Sequence, residues 1–417
     1  MTGREWDNPE RMLSVDDALE RILAEFSPLP PVRVSLLDAL GLVIADDVVS
    51  SINVPPFRNS AMDGYAIRSN DTSRTPVTLA VIETIAAGSL PEHAIGAGQA
   101  ARIMTGAPLP AGADAVVRFE ETDETRRAAD DRASVTVRRQ IAPRENVREP
   151  GEDIQRGDRV IHMGSRLRPA DIGLLASLNI SEIMVHRRPL VAILSTGDEV
   201  VDLGPDLNPG QIRNSNSYSV AALILREGGV PLLLGVARDT TDDLRDRLHA
   251  AGEPDFYVTS GGVSVGDYDM VKDVLRSEGS VDLWQVRMKP GKPLAFGTIG
   301  QTPLLGLPGN PAAAVVSFEQ FGVPAIRTML GRDDVRLPEV RATLSESLRN
   351  PGRRRHFVRG IVDRAAGEYV ARPVGGKGSA ALTPVARSNC FIIVPETRDV
   401  VEAGDSVEVQ MLDDLYR

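Results

Sequence analysis

The sequence has one cysteine, Cys390, in 417 residues. A single thiol excludes an intrachain disulfide and a thiolate-rich metal site, and it fits a reducing compartment. Residues 220–237 form the best apolar run, but charges and glycines interrupt it before it reaches membrane-spanning length. Residues 1–11 are charged and lack an apolar signal segment. We therefore expect a soluble, cytoplasmic protein with no membrane partner.

Basic residues are fewer than acidic ones, 47 against 58, which gives a formal net charge of −11. A general nucleic-acid binder needs an excess of Lys and Arg to contact phosphates, so we expect no nucleic-acid partner. The five histidines show no metal-ligand spacing. None of them is expected near the sheet edge described below, and this argues against a Ser-His-Asp hydrolase.

The length predicts two to four domains, because one hydrophobic core rarely organises so long a chain. Ser14 and Asp17 form a capping pattern ahead of a helix. Short β-type runs separated by turns fill residues 77–137, and a second such series follows Arg332. We predict a mixed N-terminal domain (1–50 and 151–187), an inserted all-β domain (51–150), an α/β domain (188–332) and a C-terminal β-barrel domain (333–417).

Strand and helix patterns alternate from Pro189 onward. Repeated βα units predict a central, mostly parallel, doubly wound sheet, so the fold class is multi-domain α/β plus all-β. Ligands of such sheets bind at the carboxyl ends of the strands. Several polar residues are expected at that edge: Asp198, Glu199, Asp239, Ser260, Asp269 and Asn310.

A glycine-rich segment, residues 259–266, joins the predicted strand at Phe256 to a helix pattern. Glycines let backbone N–H groups approach a ligand, and a helix N-terminus favours anions. Hydroxyls precede this turn and the carboxylates Asp267 and Asp269 follow it, which suits a phosphate bridged by a divalent cation. A plain βα turn is the alternative. The segment is neither a P-loop nor a dinucleotide-binding turn.

Two lysines, Lys289 and Lys292, flank a Pro-Gly pair. A stiff loop of this kind fixes point charges against an oxyanion, although a solvated loop would also place lysines here. Carboxylates without His or Cys partners suit Mg²⁺. Asp198 and Glu199 could instead be a helix N-cap pair.

Eight short motifs recur in an order that resembles the molybdopterin molybdenumtransferases, the MoeA family, which includes the similar E domain of gephyrin. The motifs are Asn59–Ala66, Ile103–Ala107, Gly151–Ile154, Ser195–Glu199, Asn214–Asn216, Thr259–Gly266, Met288–Pro293 and Leu307–Pro311. The resemblance implies that the α/β domain binds molybdopterin and that the protein is an elongated homodimer whose active cleft uses residues of both subunits. The implied reaction inserts the co-substrate molybdate into adenylylated molybdopterin, with Mg²⁺, and releases AMP and molybdenum cofactor.

The resemblance also implies site residues, motif by motif. The catalytic set is Asp63, Thr105, Asp153, Glu199, Asp239, Asp269, Lys289 and Lys292, of which Glu199, Asp239 and Asp269 are the expected metal ligands. The substrate-binding set is Ser195, Thr196, Gly197, Asp198, Asn214, Ser260, Gly261, Gly262, Ser264, Gly309, Asn310, Pro311, Arg353 and Ser379. The run of three arginines leaves Arg353 and Arg354 as alternatives for the basic position of the last domain.

Two other functions stay open at this point. The same fold serves in gephyrin as an assembly module, so a non-catalytic scaffold is one alternative; a pure scaffold has no reason to keep the carboxylates and lysines. A phosphohydrolase that cleaves a nucleotide diphosphate link is the other. Molybdate and tungstate match in charge and shape, and the sequence leaves the choice between them open.

Overall fold

The computed structural model describes residues 12–124, 133–204, 206–238, 240–261, 278–365, 367–375 and 381–412. These residues form two compact units. The first takes residues from 12–45, 164–167 and 183–412, and the second from 46–163 and 168–182. No helix in these described ranges has both the length and the apolar character of a membrane span. The four-domain division stays a prediction.

The first unit begins with helix α1, Val15–Leu23. Ser14 caps this helix as predicted, because its Oγ accepts a hydrogen bond from the backbone N–H of Asp17 at 3.0 Å. The apolar positions recur at helical spacing and pack into the main core of the unit: Val15, Ala18, Leu19 and Ile22. Strand β1, Pro31–Ser35, follows the helix.

The second unit is mainly β-structure. Its strands are β2 Val48–Val49, β3 Asn59–Ser60, β4 Gly64–Ile67, β5 Val77–Ile85, β6 Gln99–Ile103, β7 Ala115–Arg118, β8 Ser134–Val137, β9 Val147–Arg148 and β10 Arg159–Ile161. Short 3₁₀ turns cover Ser69–Thr72 and Phe119–Glu121, and helix α2 is Pro169–Ser177. Five strands form one sheet in the order β7-β4-β6-β5-β8. Alternate residues of β4 face opposite apolar clusters, because side chains alternate along a strand: Tyr65 and Ile67 lie in one, Ala66 in the other.

The α/β part of the first unit follows. Its strands are β11 Glu182–His186, β12 Leu190–Thr196, β13 Val200–Val201, β14 Ile212–Arg213, β15 Val230–Ala237, β16 Phe256–Ser260, β17 Gly279–Gln285, β18 Met288–Lys289, β19 Pro293–Ile299 and β20 Thr302–Leu307. Its helices are α3 Ser215–Glu227, α4 Thr241–Ala250, α5 Pro311–Ser317 and α6 Val323–Met329, with a π-helical segment, Phe318–Gly322, between the last two. Strand β11 pairs with β1.

Six of these strands form the central sheet, in the order β15-β12-β16-β20-β19-β17. The first four run parallel, and β19 and β17 add an antiparallel hairpin at the edge. Both faces are covered: Val191 and Ile193 of β12 join the core with α3 and α5, whereas Ala192 and Leu194 join a second core with α4. The predicted mostly parallel, doubly wound sheet is confirmed.

The last part of the first unit is a closed barrel. Its strands are β21 Glu339–Leu344, β22 Leu348–Arg349, β23 Arg355–Ala365, β24 Glu368–Pro373, β25 Cys390–Val394, β26 Val400–Val401 and β27 Ser406–Met411, with helix α7 at Thr383–Ala386. The pairings β23-β24-β21-β27-β25 return to β23 and close five strands into the predicted barrel. Strand β18 pairs in parallel with β23, with Lys289 opposite His356. The lysine loop is therefore joined to the barrel.

Candidate active site

The carboxyl ends of three neighbouring parallel strands, β12, β16 and β20, lie side by side at one edge of the central sheet. Ser195 at the end of β12 lies opposite Ser260 of β16, and Ser260 lies opposite Leu307 of β20. The Asn216 amide, at the start of α3, donates to Ser260 Oγ at 2.7 Å and to the carbonyl of Gly309 at 2.8 Å. This one side chain fixes the loops after β16 and β20 relative to α3, and it brings Ser260 and Gly309 together at this edge.

Several predicted substrate-binding residues are buried and hydrogen-bonded within the protein. The Ser195 hydroxyl donates to Asn214 Oδ1 at 2.9 Å, and Asn214 also caps α3 by accepting from the N–H of Ser217 at 3.2 Å. Asn214 Nδ2 donates to Asp202 Oδ1 at 2.8 Å. Thr196 and Ser260 are buried as well. Ser195 and Asn214 therefore stabilise the loops between β12 and α3.

Two glycines at this edge occupy backbone positions that suit no other residue. Gly197 has φ +129°, and a Cβ there would lie 2.7 Å from Glu199 Oε2. Gly261 has φ +94°, and its Cβ would lie 2.7 Å from the carbonyl oxygen of Thr196. Glu199, two residues after Gly197, is exposed. Three other predicted residues are exposed as well: Asp198 beside it, and Gly309 and Asn310 in the turn after β20.

Asn310 stands at the N-cap position of α5, and Pro311 takes the first turn. Five predicted site residues lie outside the described residues: Asp239, Gly262, Ser264, Asp269 and Ser379. Within the described residues, no three His, Cys, Asp or Glu side chains are grouped to hold a metal ion. Of the three predicted ligands only Glu199 is described, so the described part of the chain does not by itself form the predicted magnesium site.

A cavity of about 640 Å³ lies between the lysine loop, the start of α5 and the barrel strand β23. Its described lining contains four cationic side chains, those of Lys289, Lys292, Arg354 and Arg359, and also His356. None of the described lining residues carries a carboxylate. We call this space the basic cavity. The turn between the two lysines passes through Gly291, whose φ of +104° favours glycine.

The electrostatics of the basic cavity favour an anion. Burial and the nearby charges of Arg354 and Arg359 lower the pKa of Lys289. Burial lowers the pKa of Arg359, and its buried Nε has no hydrogen-bond partner among the described residues. Burial and the three neighbouring cations lower the pKa of His356 to about 3. Each of these shifts comes from positive charge removed from water without a matching negative charge, which a bound anion would supply.

The barrel residues that line the basic cavity differ from the sequence-based predictions in two ways. The expectation of no histidine near the site edge is wrong, because β23 brings His356 next to Lys289 from a distant part of the chain. The arginine that lines the cavity is Arg354, whereas the Arg353 side chain is 76% exposed, with its Nε 4.0 Å from Asp399 Oδ1. Sequence reasoning missed Arg359. Alternation along β23 groups His356 with Val358 and not with Arg359, so the strand pattern gave no signal for this arginine.

The second unit holds the remaining predicted catalytic residues. Asp63 immediately precedes β4 and Thr105 follows β6, and these strands pair with Gly64 opposite Ile103. Asp63 Oδ1 accepts from the backbone N–H of Thr105 at 2.7 Å and from its hydroxyl at 2.8 Å. These two bonds lower the pKa of Asp63 from its ordinary value. Asp153 is exposed in the same unit.

The fold and the basic cavity define a multidomain α/β protein whose doubly wound sheet and barrel enclose a cavity lined by cationic side chains. Three family models match successive parts of the chain: "MoeA N-terminal region (domain I and II)" over residues 13–179, "Probable molybdopterin binding domain" over 192–328, and "MoeA C-terminal region (domain IV)" over 341–412.

Curated relatives match nearly the whole chain. A molybdopterin molybdenumtransferase of Haemophilus influenzae is 36% identical over 97% of this chain and 100% of the relative. Molybdopterin molybdenumtransferase 2 of Mycobacterium tuberculosis is 39% identical over 94% and 98%. A crystal structure of the molybdopterin biosynthesis MoeA protein of Pyrococcus horikoshii superposes with a TM-score of 0.82, at 28% identity, over 96% of this chain and 100% of that one. The chain belongs to the MoeA family of molybdopterin molybdenumtransferases.

Proposed function

We propose that this protein inserts molybdate into adenylylated molybdopterin, in a Mg²⁺-dependent reaction that releases AMP and molybdenum cofactor. This is a transferase reaction of molybdenum cofactor biosynthesis, and family membership supports it. The relatives are named for this transfer. The proposal assigns the reaction to the cytoplasm, where the single cysteine is suited to reducing conditions.

The basic cavity is the observation that carries the proposal. A tetrahedral dianion fits a space lined by four cationic side chains and no described carboxylate. Lysines act as compact point charges and suit a tetrahedral oxyanion, whereas an arginine contributes a planar pair of donors. We assign molybdate and the substrate's phosphates to Lys289, Lys292, Arg354 and Arg359.

The sheet edge beside the cavity would hold the rest of the substrate. Exposed backbone at Gly309 and the glycine turns after β12 and β16 allow close approach of an anionic group. The proposed metal ligands are Glu199, Asp239 and Asp269. Bound Mg²⁺ would neutralise phosphate charge; the described residues show only Glu199 of this set, and the roles given to the cavity residues do not depend on the metal.

A homodimer is part of the proposal. The motifs of Asp63, Thr105 and Asp153 would complete the site from the partner subunit, as a composite cleft between two copies. The two hydrogen bonds from Thr105 fix the position of the Asp63 carboxylate, and this supports a functional use of it. We leave molybdate and tungstate as equivalent candidates for the oxyanion.

The deciding experiment incubates the purified protein with adenylylated molybdopterin, with and without molybdate and Mg²⁺, and follows AMP and active cofactor. We expect both products from the parent protein, and a roughly ten- to a hundredfold weaker apparent affinity for molybdate or for the adenylylated substrate in Lys289→Ala. Arg33→Gln removes an exposed positive charge on β1 and serves as the control. AMP release without cofactor at any molybdate concentration would identify a phosphohydrolase. Absence of both products with a correctly folded protein would favour a scaffold.

A further inference from the structure

A buried serine fixes the turn that carries Asp63. Ser60 is fully buried, and its Oγ donates to the carbonyl of Met62 at 2.5 Å and accepts from the N–H of Met62 at 3.3 Å. Its backbone N–H donates to the carbonyl of Ala107 at 3.0 Å, and its carbonyl accepts from the N–H of Gly106 at 2.8 Å. Ser60 therefore holds the residue before Asp63 and also two residues of the loop that follows β6.

The same arrangement occurs a second time in this unit, at Ser50. This serine is also buried, and its Oγ donates to the carbonyl of Ile52 at 2.6 Å and accepts from the N–H of Ile52 at 3.3 Å. Its backbone N–H donates to the carbonyl of Asp158, and its carbonyl accepts from the N–H of Gly157, both at 2.8 Å. Each hydrogen bond described for Ser60 thus has a counterpart, and we call residues 50–53 and 60–63 the two serine turns.

The last residue of each serine turn binds the opposite loop. Asn53 Oδ1 accepts from the backbone N–H of Arg156 at 2.8 Å. In the other copy, Asp63 Oδ1 accepts from the backbone N–H of Thr105 at 2.7 Å and from its hydroxyl at 2.8 Å. A neutral amide oxygen is therefore sufficient for the bond that closes the turn. The negative charge of Asp63 is not needed for that bond, and the residue is exposed, so the charge can act on a ligand.

We propose that Ser60 is a positioning residue of the transfer reaction, whose serine turn holds the carboxylate of Asp63 and the hydroxyl of Thr105 in one fixed arrangement. The use of these two groups in the reaction rests on the proposed function. Ser60 is fully buried and does not reach a substrate, so its effect passes through Asp63 and Thr105. Misplacing a group of this kind by about 1 Å can reduce turnover about a hundredfold.

A double-mutant cycle on the full-length protein tests this inference. Ser60→Ala should lower kcat about ten- to a hundredfold. Asp63→Asn keeps an acceptor for the turn, as Asn53 does in the other copy, but removes the charge and should lower kcat as well. The double variant should be no less active than Asp63→Asn alone, because Ser60 acts through that charge. Ser50→Ala removes the same hydrogen bonds from the other serine turn, and its effect should multiply with that of Asp63→Asn.

A second measurement needs no activity. The carboxyl group of Asp63 can be titrated by ¹³C NMR of protein labelled at the aspartate carboxyls, where its signal is the one missing from Asp63→Asn. The two bonds from Thr105 lower the pKa of Asp63, with a smaller contribution from the charge of Arg102. Ser60→Ala should raise this pKa towards its ordinary value, because the two bonds loosen. Ser50→Ala should leave the pKa of Asp63 unchanged.

Two exposed glycines provide variants in case Ser60→Ala fails to fold. Gly106 and Gly157 take equivalent places in the two copies, with φ of +82° and +100°, and a Cβ at either would meet open space among the described residues. Gly106→Ala strains the backbone that pairs with Ser60, so it should lower kcat and raise the pKa of Asp63. Gly157→Ala is the matched control and should leave the pKa of Asp63 unchanged.

The results distinguish a positioning residue from a structural one. If Ser60→Ala, or Gly106→Ala in its place, matches the parent in kcat and in the titration of Asp63, the inference is overturned. A loss of kcat that multiplies with that of Asp63→Asn also overturns it, because the effect would then be a general structural one. A parent protein that forms no cofactor, while Ser60→Ala still shifts the titration, overturns the proposed function and leaves the positioning of Asp63 by Ser60 standing.

Discussion

Lys289 lies directly opposite His356 where β18 of the α/β part pairs with β23 of the barrel. The two residues are 67 positions apart in the chain (356 − 289), yet they share one wall of the basic cavity. This pairing brings the cations of the lysine loop and of the barrel strand together in one cavity.

Lys289 and Lys292 are expected to bind different anions. They flank one Pro-Gly turn, and two ammonium groups in one small region can serve an oxyanion and a bridging phosphate separately. Removing one charge-assisted contact costs about 1.5–3 kcal/mol, roughly ten- to a hundredfold in affinity. One Lys→Ala variant should raise the molybdate requirement, and the other should weaken binding of the adenylylated substrate. Titrating molybdate at saturating substrate, and then substrate at saturating molybdate, separates the two effects. If both variants match the parent protein in both titrations, Lys289 and Lys292 are surface charges that bind neither anion.

Arg354→Gln should weaken molybdate use far more than Arg353→Gln. Arg354 lines the basic cavity, whereas the side chain of Arg353 is 76% exposed. Loss of a charge-assisted contact should reduce the apparent affinity for molybdate by roughly tenfold or more in the first variant. The two variants remove the same charge one residue apart and so control for each other. Equal effects would refute the assignment that geometry gives to Arg354.

The acid stability of the protein should depend on His356. Its pKa is about 3 in the folded protein and ordinarily 6.5, so between these values the unfolded chain binds a proton that the folded protein does not. This difference lowers folding stability as the pH falls from 6.5 towards 3. His356→Gln should reduce the steepness of that decline, measured as urea midpoints across the pH range. His249→Gln is the control and should leave the decline of the urea midpoint with falling pH as it is in the parent. The same decline in His356→Gln would contradict the burial of His356 as a neutral imidazole.

Mixing an Asp63→Ala chain with an Asp269→Ala chain should restore part of the activity. A composite site takes Asp63 from one subunit and Asp269 from the other, so the heterodimer has one intact site. Mixing Lys289→Ala with Asp269→Ala is the matched control and should restore none. If chain exchange is demonstrated and the first mixture stays inactive, both residues serve a site within one subunit.

Arg226→Met should strongly destabilise the first unit. Arg226 donates to both carboxylate oxygens of Glu319, at 2.8 and 2.7 Å, and Glu319 is 2% exposed in the π-helical segment. Burial raises the pKa of Glu319, and the guanidinium opposes that rise. Breaking a buried pair costs about 3–5 kcal/mol.

Urea denaturation measures this loss, and Arg21→Met on the exposed side of α1 is the control. Adding Glu319→Gln to Arg226→Met should recover part of the stability, because an uncharged amide replaces the unpaired carboxylate. A double variant as unstable as the single one, or an Arg226→Met chain as stable as the control, would show that the ion pair contributes little.

Local chemistry made much of the fold predictable. The cap at Ser14 and the buried strand at Phe256 each depend on a few neighbouring residues, and the structure confirms them. The doubly wound sheet and the barrel were also predictable, since alternating βα units and short turn-separated strands allow few packed arrangements. Convergence of polar residues at one sheet edge followed from the same topology.

The composition of the basic cavity was not predictable in this way. The motif around Lys289 and Lys292 identified two cations, because both lie in one short loop. The choice of Arg354 over Arg353, the contribution of Arg359 and the presence of His356 depend on how β23 closes the barrel and which of its faces meets β18. Strand register sets that face, and register comes from the packing of residues distant in sequence. The sequence by itself determined the family motifs and the two loop lysines, whereas only the tertiary structure decided which barrel side chains line the basic cavity with them.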